Sequence, residues 1–173
     1  MKSIILLSGP IGAGKTTISR ELVACSPAPM AYIEGDKFWS FIAKSAPDQG
    51  PVKNFKTIMA AMTAAAIPYA MAGYEVILDF SIPPWFLDTA RKIADRRSIP
   101  LDFVIIRPSE EICAARAATR LEGAIPDYAP YHDLYADFDS VDKRHTIRDD
   151  EASAAAVAAR IRKGLNEGVF RLS

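Results

Sequence analysis

The sequence predicts an α/β protein in which a parallel β-sheet lies between two layers of helices. Five short apolar runs of strand type alternate with helical segments, an arrangement that produces parallel sheets covered on both faces. The first of these runs leads into a glycine-rich loop and then a helix. With 173 residues, 50% of them hydrophobic, the chain can bury one sizeable core but is short for two. We therefore expect a single domain spanning residues 1–173.

A glycine-rich loop, GPIGAGKT at residues 9–16, matches the pattern of a glycine, any four residues and then Gly-Lys-Ser/Thr. Such a loop turns backbone amides inward, and the helix behind it adds its positive end, so that phosphate oxygens bind between them. We expect Lys15 to contact the outer phosphates and Thr16 to bind the accompanying magnesium ion. The alternative is an ordinary glycine turn with a surface lysine. The expected phosphate-binding residues are Gly9, Pro10, Ile11, Gly12, Ala13, Gly14, Lys15, Thr16 and Thr17.

The remaining elements continue the alternation. Pro68 is expected to kink or shorten the second helix near its end, and Asp149 or Asp150 to cap the last one. Because the carboxyl ends of parallel strands share one edge of a sheet, ligand-binding residues are expected at that edge. The later strands are predicted at residues 30–33, 74–79, 101–106 and 145–147, and the later helices at about 52–72, 83–97, 109–121 and 131–138, with a last helix after residue 149.

Charged side chains that suit phosphate chemistry stand at this edge. Glu34 and Asp36 follow the second strand, and Asp79 ends the third. A carboxylate can orient a hydroxyl nucleophile or bind magnesium through water; the alternatives are helix capping by either aspartate and a solvent-facing Glu34. Arg116 and Arg120 are four residues apart, which places them on one ridge of the 109–121 helix. Solvated surface arginines are the alternative there.

On these motifs the sequence resembles the small P-loop kinases. More narrowly, it is similar to the shikimate kinase, gluconate kinase and chloramphenicol phosphotransferase branch of the P-loop NTPase superfamily. The resemblance implies a three-layer α/β/α P-loop kinase fold with a five-stranded parallel sheet in the order 2-3-1-4-5. It also implies ATP and Mg²⁺ as cofactors, and transfer of the terminal phosphoryl group to a small acceptor. We expect a movable flap at about residues 37–60 and a short lid at about 121–140 that closes over ATP.

The same resemblance implies roles for individual residues. Asp36 corresponds to the carboxylate that orients the acceptor hydroxyl and takes its proton. Glu34 and Asp79 would hold the metal through water. Arg116 and Arg120 match the arginines that begin the lid, one lying against adenine and the other reaching the transferring phosphate. The expected catalytic residues are Lys15, Asp36, Arg116 and Arg120, and the expected metal-site residues are Thr16, Glu34 and Asp79.

The acceptor half of the site is expected at residues 36–60 and 80–86. No arginine or histidine occurs between Glu21 and Ala90, although nucleotide and shikimate kinases grip an anionic acceptor with arginine. Aromatic residues are frequent in the same region, either as a binding surface or as core. A neutral antibiotic-like or sugar-like acceptor is therefore favoured. The expected substrate-binding residues are Asp36, Phe38, Trp39, Phe80 and Trp85.

Other classes of function fit less well. A nucleoside monophosphate kinase of the cytidylate or adenylate type is the first alternative, and a non-kinase ATPase or nucleotide switch is the second. A formal net charge of zero argues against nucleic acid and membrane partners. Cys25 and Cys113 have no metal-ligand or redox spacing and are expected to be buried free thiols. We expect a cytoplasmic monomer or homodimer.

Overall fold

The computed structural model describes residues 2–44, 50–121 and 123–172 of the protein. One five-stranded sheet has the order β2-β3-β1-β4-β5, and every pair of neighbouring strands in it is parallel. The predicted α/β class, the parallel sheet and the strand order implied by the resemblance are confirmed. The strands are β1 (Ile4–Ser8), β2 (Met30–Glu34), β3 (Glu75–Asp79), β4 (Leu101–Ile106) and β5 (Thr146–Ile147).

Helices cover both faces of the sheet. All of β1 is buried because its side chains alternate between two cores: Ile4 and Leu6 pack in one, Ile5 and Leu7 in the other. The first core contains buried residues of α2 and α3, and the second contains those of α1, α4 and α6. The helices are α1 (Lys15–Ala24), α2 (Pro51–Met71), α3 (Leu87–Asp95), α4 (Glu110–Ala118), α5 (His132–Asp137) and α6 (Ala154–Asn166).

Strands β1, β2 and β3 end at the same level of the sheet. Leu7 of β1 pairs with Asp79 of β3, and Glu34 of β2 pairs with the same aspartate. Residues that follow β1, β2 and β3 therefore meet at one edge of the sheet, as the sequence predicts. A 3₁₀ segment, Gly35–Phe41, begins directly after β2 and carries Asp36 in its first turn.

Some helix boundaries differ from the prediction. Helix α4 ends at Ala118, so Arg120 lies beyond the helix and the predicted ridge shared with Arg116 is wrong. The Thr119 hydroxyl donates to the carbonyls of Ala115 and Arg116, and such local bonds compete with continuation of a helix. The side chain of Leu121 is fully exposed and contributes no packing that would hold another turn.

The cap of the last helix and the environment of one cysteine also differ. The Ser153 hydroxyl caps α6 by accepting the amide of Ala156, and Asp149 instead accepts the amides of Glu151 and Ala152 in the preceding turn. The predicted capping of α6 by an aspartate is therefore wrong. Cys113 is buried as expected, but Cys25 is exposed. Cys25 stands just past the end of α1, where the core no longer covers the helix.

The segment predicted as a lid is packed against the domain over part of its length. Phe138 is 1% exposed and belongs to the first core, and Tyr128 is 7% exposed in the second. Arg107, which follows β4, donates to the Asp139 carboxylate and lies 4.1 Å from the Tyr135 ring centroid. Within the described ranges, no helix is long and apolar enough to cross a membrane.

Candidate functional site

A cleft of about 940 Å³ opens at the carboxyl edge of the sheet. One end is formed by the glycine loop, and the other by the 3₁₀ segment, α2 and the turn after β3. Residues from the predicted lid cover part of the cleft. Its lining residues include Ile11, Gly12, Gly14, Lys15, Thr16, Thr17, Glu34, Asp36, Trp39, Phe55, Asp79, Phe80, Ser81, Arg116, Thr119, Arg120, Tyr131 and Leu134.

Two glycines of the loop allow a close approach that no other residue could make. At Gly9 a Cβ would stand 2.1 Å from the carbonyl oxygen of Ile106, and at Gly12 it would stand 2.1 Å from that of Cys113. Both residues also have positive φ angles, of 143° and 83°. The loop is therefore fixed between β1 and α1 on one side and the end of β4 and α4 on the other.

Lys15 is folded back over its own loop, and its ammonium donates to the carbonyls of Gly9 and Pro10. Burial lowers the pKa of Lys15 to about 8, although the carboxylates of Asp79 and Asp36 raise it. A partly desolvated cation held at the mouth of an anion-binding loop suits phosphate, because binding replaces weak carbonyl partners by negative charge.

Asp79 is the buried carboxylate of the site, with 4% of its surface exposed. The Tyr32 hydroxyl donates to its Oδ2 over 2.9 Å, and the Thr16 side chain hydrogen-bonds to the same carboxylate. Burial raises the pKa of Asp79, and the Lys15 ammonium opposes this shift. Tyr32 was not among the predicted site residues. The alternation of side chains along a strand could have indicated Tyr32, because Tyr32 stands two residues before Glu34 and so lies on the same face of β2.

These groups fit a magnesium ion in the way that nucleotide sites hold it. Mg²⁺ takes hard oxygen ligands and usually keeps several waters while binding one or two protein groups and the phosphates. Thr16 and Asp79 supply such oxygens beside the phosphate loop, and Glu34 lines the same cleft. Among the described residues, no group of three or more His, Cys, Asp or Glu side chains could hold a metal by itself.

Asp36 and Glu34 line the same cleft as the loop. Asp36 is exposed at the start of the 3₁₀ segment, and its charge acts on Lys15. Glu34 forms a 3.1 Å ion pair with Lys37, whose side chain is 75% exposed. The structure thus brings together the loop and all three predicted carboxylates.

Both predicted arginines line the cleft although only Arg116 is helical. The positive charge of Arg120 lowers the pKa of Lys15, so Arg120 and Lys15 lie in the same region of the cleft. Arg116 also borders a smaller cavity of about 240 Å³, which runs from Gly14 and Thr17 to Asp149 and Ala152. This cavity joins the phosphate loop to the segment after β5.

The aromatic residues predicted for substrate binding separate into two groups. Trp39 and Phe80 line the cleft, together with Phe55, which the sequence analysis did not single out. Phe55 stacks on Trp39 with ring centroids 6.4 Å apart and contacts Phe80 at 5.3 Å. Trp85 also contacts Phe55, with ring centroids 6.3 Å apart, while Phe38 packs against the core; neither is among the described residues that line the cleft.

The predicted lid contributes a direct contact to the phosphate loop. The Tyr128 hydroxyl donates to the carbonyl of Ile11 over 2.7 Å, and Tyr131 and Leu134 face the cleft. Nothing in the local sequence distinguishes Tyr128 from a surface tyrosine, because its partner lies 117 residues away in the chain. The exposed His132 meets Glu110 at the start of α4, which attaches the same segment a second time.

The strand order, the glycine loop between β1 and α1 and the carboxylate at the end of β3 together define a P-loop NTPase fold. A family model described as an AAA domain, AAA_33, matches residues 4–134. The chain therefore belongs to this family. No match to the chain was found among curated proteins.

Solved structures, two of them described as kinases, share the fold along nearly the whole chain. A sugar kinase from Janibacter sp. HTCC2649 has a TM-score of 0.73 at 16% identity, covering 96% of this chain and 95% of its own. The APS kinase of Mycobacterium tuberculosis, solved with AMPPNP and APS, has a TM-score of 0.70 at 14% identity, covering 95% and 98%. A tunicamycin resistance protein from Deinococcus radiodurans has a TM-score of 0.69 at 16% identity, covering 100% and 99%.

Proposed function

We propose that the protein is an ATP- and magnesium-dependent phosphotransferase that acts on a hydroxyl group of a small, neutral acceptor. The observation that carries the proposal is the division of one cleft between a phosphate loop with Lys15 at one end and Asp36 with aromatic side chains at the other. A site that only hydrolysed nucleotide would not require a second surface of this kind. Kinases among the structural neighbours support the same class.

The nucleotide fits the loop and the smaller cavity. The loop amides and Lys15 would bind the β- and γ-phosphates, because the amides and the ammonium are the donors nearest the start of α1. The adenosine would extend between Arg116 and the segment from Asp149 to Ala152, where the cavity of about 240 Å³ lies. Arg116 would stack on the base through its planar guanidinium.

The transfer step requires an in-line nucleophile and compensation of negative charge. The acceptor oxygen forms a bond to the γ-phosphorus while the bond from that phosphorus to the β,γ-bridging oxygen breaks, and ADP leaves. Asp36 orients the acceptor hydroxyl and takes its proton. Lys15 and Arg120 stabilise the charge on the transferring group. Magnesium, held from Thr16 and Asp79, supplies further charge compensation on the phosphate oxygens when bound.

Neutrality of the acceptor is inferred from the lining of the cleft. Its described cations are Lys15, Arg116 and Arg120, and the proposed nucleotide site uses all three, Lys15 and Arg120 at the phosphates and Arg116 at the base. The acceptor end offers Asp36, Glu34 and the rings of Trp39, Phe55 and Phe80. Carboxylates repel an anionic acceptor, whereas rings pack against an apolar or ring-shaped body.

The test is acceptor-dependent formation of ADP. Purified protein with ATP and Mg²⁺ should form ADP slowly alone and much faster with one member of a panel of neutral sugars, polyols and hydroxyl-bearing antibiotics. CMP, AMP and UMP serve as the nucleotide arm of the same panel. ADP formation that no acceptor stimulates would favour an ATPase or nucleotide switch, and stimulation by the nucleotides alone would favour a nucleoside monophosphate kinase.

A further inference from the structure

A tyrosine outside every recognised motif contacts the buried carboxylate of the site. The hydroxyl of Tyr32 lies 2.9 Å from Oδ2 of Asp79, although 47 residues separate them in the chain. Tyr32 pairs with Ile77 and Glu34 pairs with Asp79, so Tyr32 and Asp79 are diagonal neighbours on one face of the sheet. Their contact follows from the register of β2 and β3.

The ring of Tyr32 is held where this contact forms. It packs against the core that contains Ile77, Ile18 and Leu22, on the side of the sheet that α1 covers. A tyrosine side chain has few rotatable bonds, so a packed ring fixes the position of its hydroxyl. The hydroxyl is therefore preorganised toward Asp79.

The contact matters because Asp79 has little access to solvent. A buried carboxylate oxygen without a hydrogen-bond partner is costly, and the group then rotates, protonates or draws in water. Tyr32 satisfies Oδ2, and the Thr16 side chain hydrogen-bonds to the same carboxylate. The orientation of the carboxylate relative to the phosphate loop is thereby fixed from the β2 side.

We propose that Tyr32 is a positioning residue for the metal–nucleotide site: its hydrogen bond holds the Asp79 carboxylate in the orientation that magnesium-dependent nucleotide binding needs. This inference rests on the proposed nucleotide site and does not depend on any acceptor. Tyr32 is not among the described residues that line the cleft. It acts through Asp79, so its removal affects the contribution of the metal to binding and leaves metal-free binding intact.

The test measures ADP binding by calorimetry with Mg²⁺ and with EDTA. In Tyr32→Phe, which removes one oxygen, ADP affinity in EDTA should equal that of the wild type, and the gain produced by Mg²⁺ should fall about tenfold, the usual scale for a hydrogen bond to a charged group. Tyr74→Phe is the matched control, because Tyr74 is 41% exposed and its ring contacts Tyr69 away from the cleft. Counting Mn²⁺ bound with ADP by electron paramagnetic resonance gives a second readout.

A double-mutant cycle distinguishes action through Asp79 from a general structural role. In an Asp79→Asn background, Tyr32→Phe should have no further effect on the metal-dependent gain. Thermal denaturation without ligand checks that each variant folds. An unchanged gain from Mg²⁺ in Tyr32→Phe would overturn the proposal, as would equal losses with and without metal, or a full effect that persists in Asp79→Asn. If wild-type protein binds no ADP, the nucleotide site itself is wrong, and that failure is separate.

Discussion

The two ends of the cleft are built in different ways. The phosphate end is built around one continuous stretch, the loop at residues 9–16, in which glycines shape the backbone and Lys15 folds back onto it. Asp79, Arg116 and Arg120 line the same cleft. The acceptor end combines Asp36 from the 3₁₀ segment, Phe55 from α2 and Phe80 from the turn after β3. Backbone groups recognise phosphate in any nucleotide, whereas side chains from separate segments can change independently. Under the proposed function, the phosphate end sets the class of reaction and the acceptor end selects the substrate.

The largest effect is expected at the phosphate end. Lys15→Ala removes the ammonium that compensates phosphate charge, so kcat/KM should fall by about a thousandfold or more, the scale for loss of a transition-state donor in a charged site. ATP-dependent activity with a saturating acceptor is the measurement. Lys2→Ala, at an exposed position near the chain start, is the control. Activity within a few fold of the wild type would contradict the role of Lys15.

Substitution of Asp36 tests the acceptor end of the cleft. It should reduce catalysis without changing nucleotide binding. Asp36→Asn keeps the size of the side chain but cannot take a proton, so kcat should fall by about 10²–10⁴-fold with ATP affinity unchanged. Turnover and calorimetric ATP binding are measured on the same sample. Asp95→Asn, at the exposed end of α3, is the matched control. Full turnover by Asp36→Asn would remove Asp36 from the mechanism.

The chain has two tryptophans, and substituting each in turn compares two positions near the acceptor end. Trp39 is 40% exposed and lines the cleft, whereas Trp85 is 50% exposed, contacts Phe55 and is not among the described lining residues. Trp39→Ala should raise the acceptor KM about tenfold by removing apolar contact area, and Trp85→Ala should raise it less. Neither change should alter ATP affinity. A larger effect at Trp85 would place the acceptor outside the cleft described here.

The pKa of Lys15 gives the phosphate end its own pH dependence. In the nucleotide-free protein this pKa is about 8, and bound phosphate raises it. Below pH 8 the ammonium is already charged, so ATP affinity should be nearly constant. Above pH 8 binding must take up a proton, and affinity should fall by up to about tenfold per pH unit. Calorimetry from pH 7 to 9.5 measures this; Lys15→Met should abolish the dependence, and a flat wild-type profile would contradict it.

The smallest expected effect lies outside the cleft, at His145. Its Nδ1 hydrogen-bonds to the carbonyl of Phe103, and burial lowers the pKa of the imidazole. In the unfolded chain the imidazole takes up a proton as the pH falls below about 6.5, whereas in the folded chain it does so only at lower pH. The free energy of unfolding should therefore decline toward pH 5. Melting temperatures should fall by a few degrees more in the wild type than in His145→Asn. Equal declines in the wild type and in His145→Asn would contradict this expectation.

A structural feature can be predicted from the sequence when the residues that form it are close together in the chain. The strand, the loop and the first helix are contiguous, and their pattern predicted the fold class and the phosphate end. Asp36 and Asp79 could be found because strand ends share an edge. The contact of Tyr128 with Ile11 and that of Phe55 with Trp39 depend on tertiary packing, which no local pattern encodes. The end of α4 was not predicted, because it depends on hydrogen bonds from the Thr119 hydroxyl to the carbonyls of the last helical turn.

The central claim is that a phosphoryl group crosses the cleft from the loop to a neutral hydroxyl. Mass spectrometry tests it most directly, after wild-type protein, ATP and Mg²⁺ are incubated with a mixed library of neutral hydroxyl compounds, CMP, AMP and UMP. We expect a neutral compound to gain the mass of one phosphoryl group, and Lys15→Ala and Asp36→Asn to abolish or greatly slow this gain. Conversion of the nucleoside monophosphates to diphosphates, with every neutral compound unchanged, would contradict it.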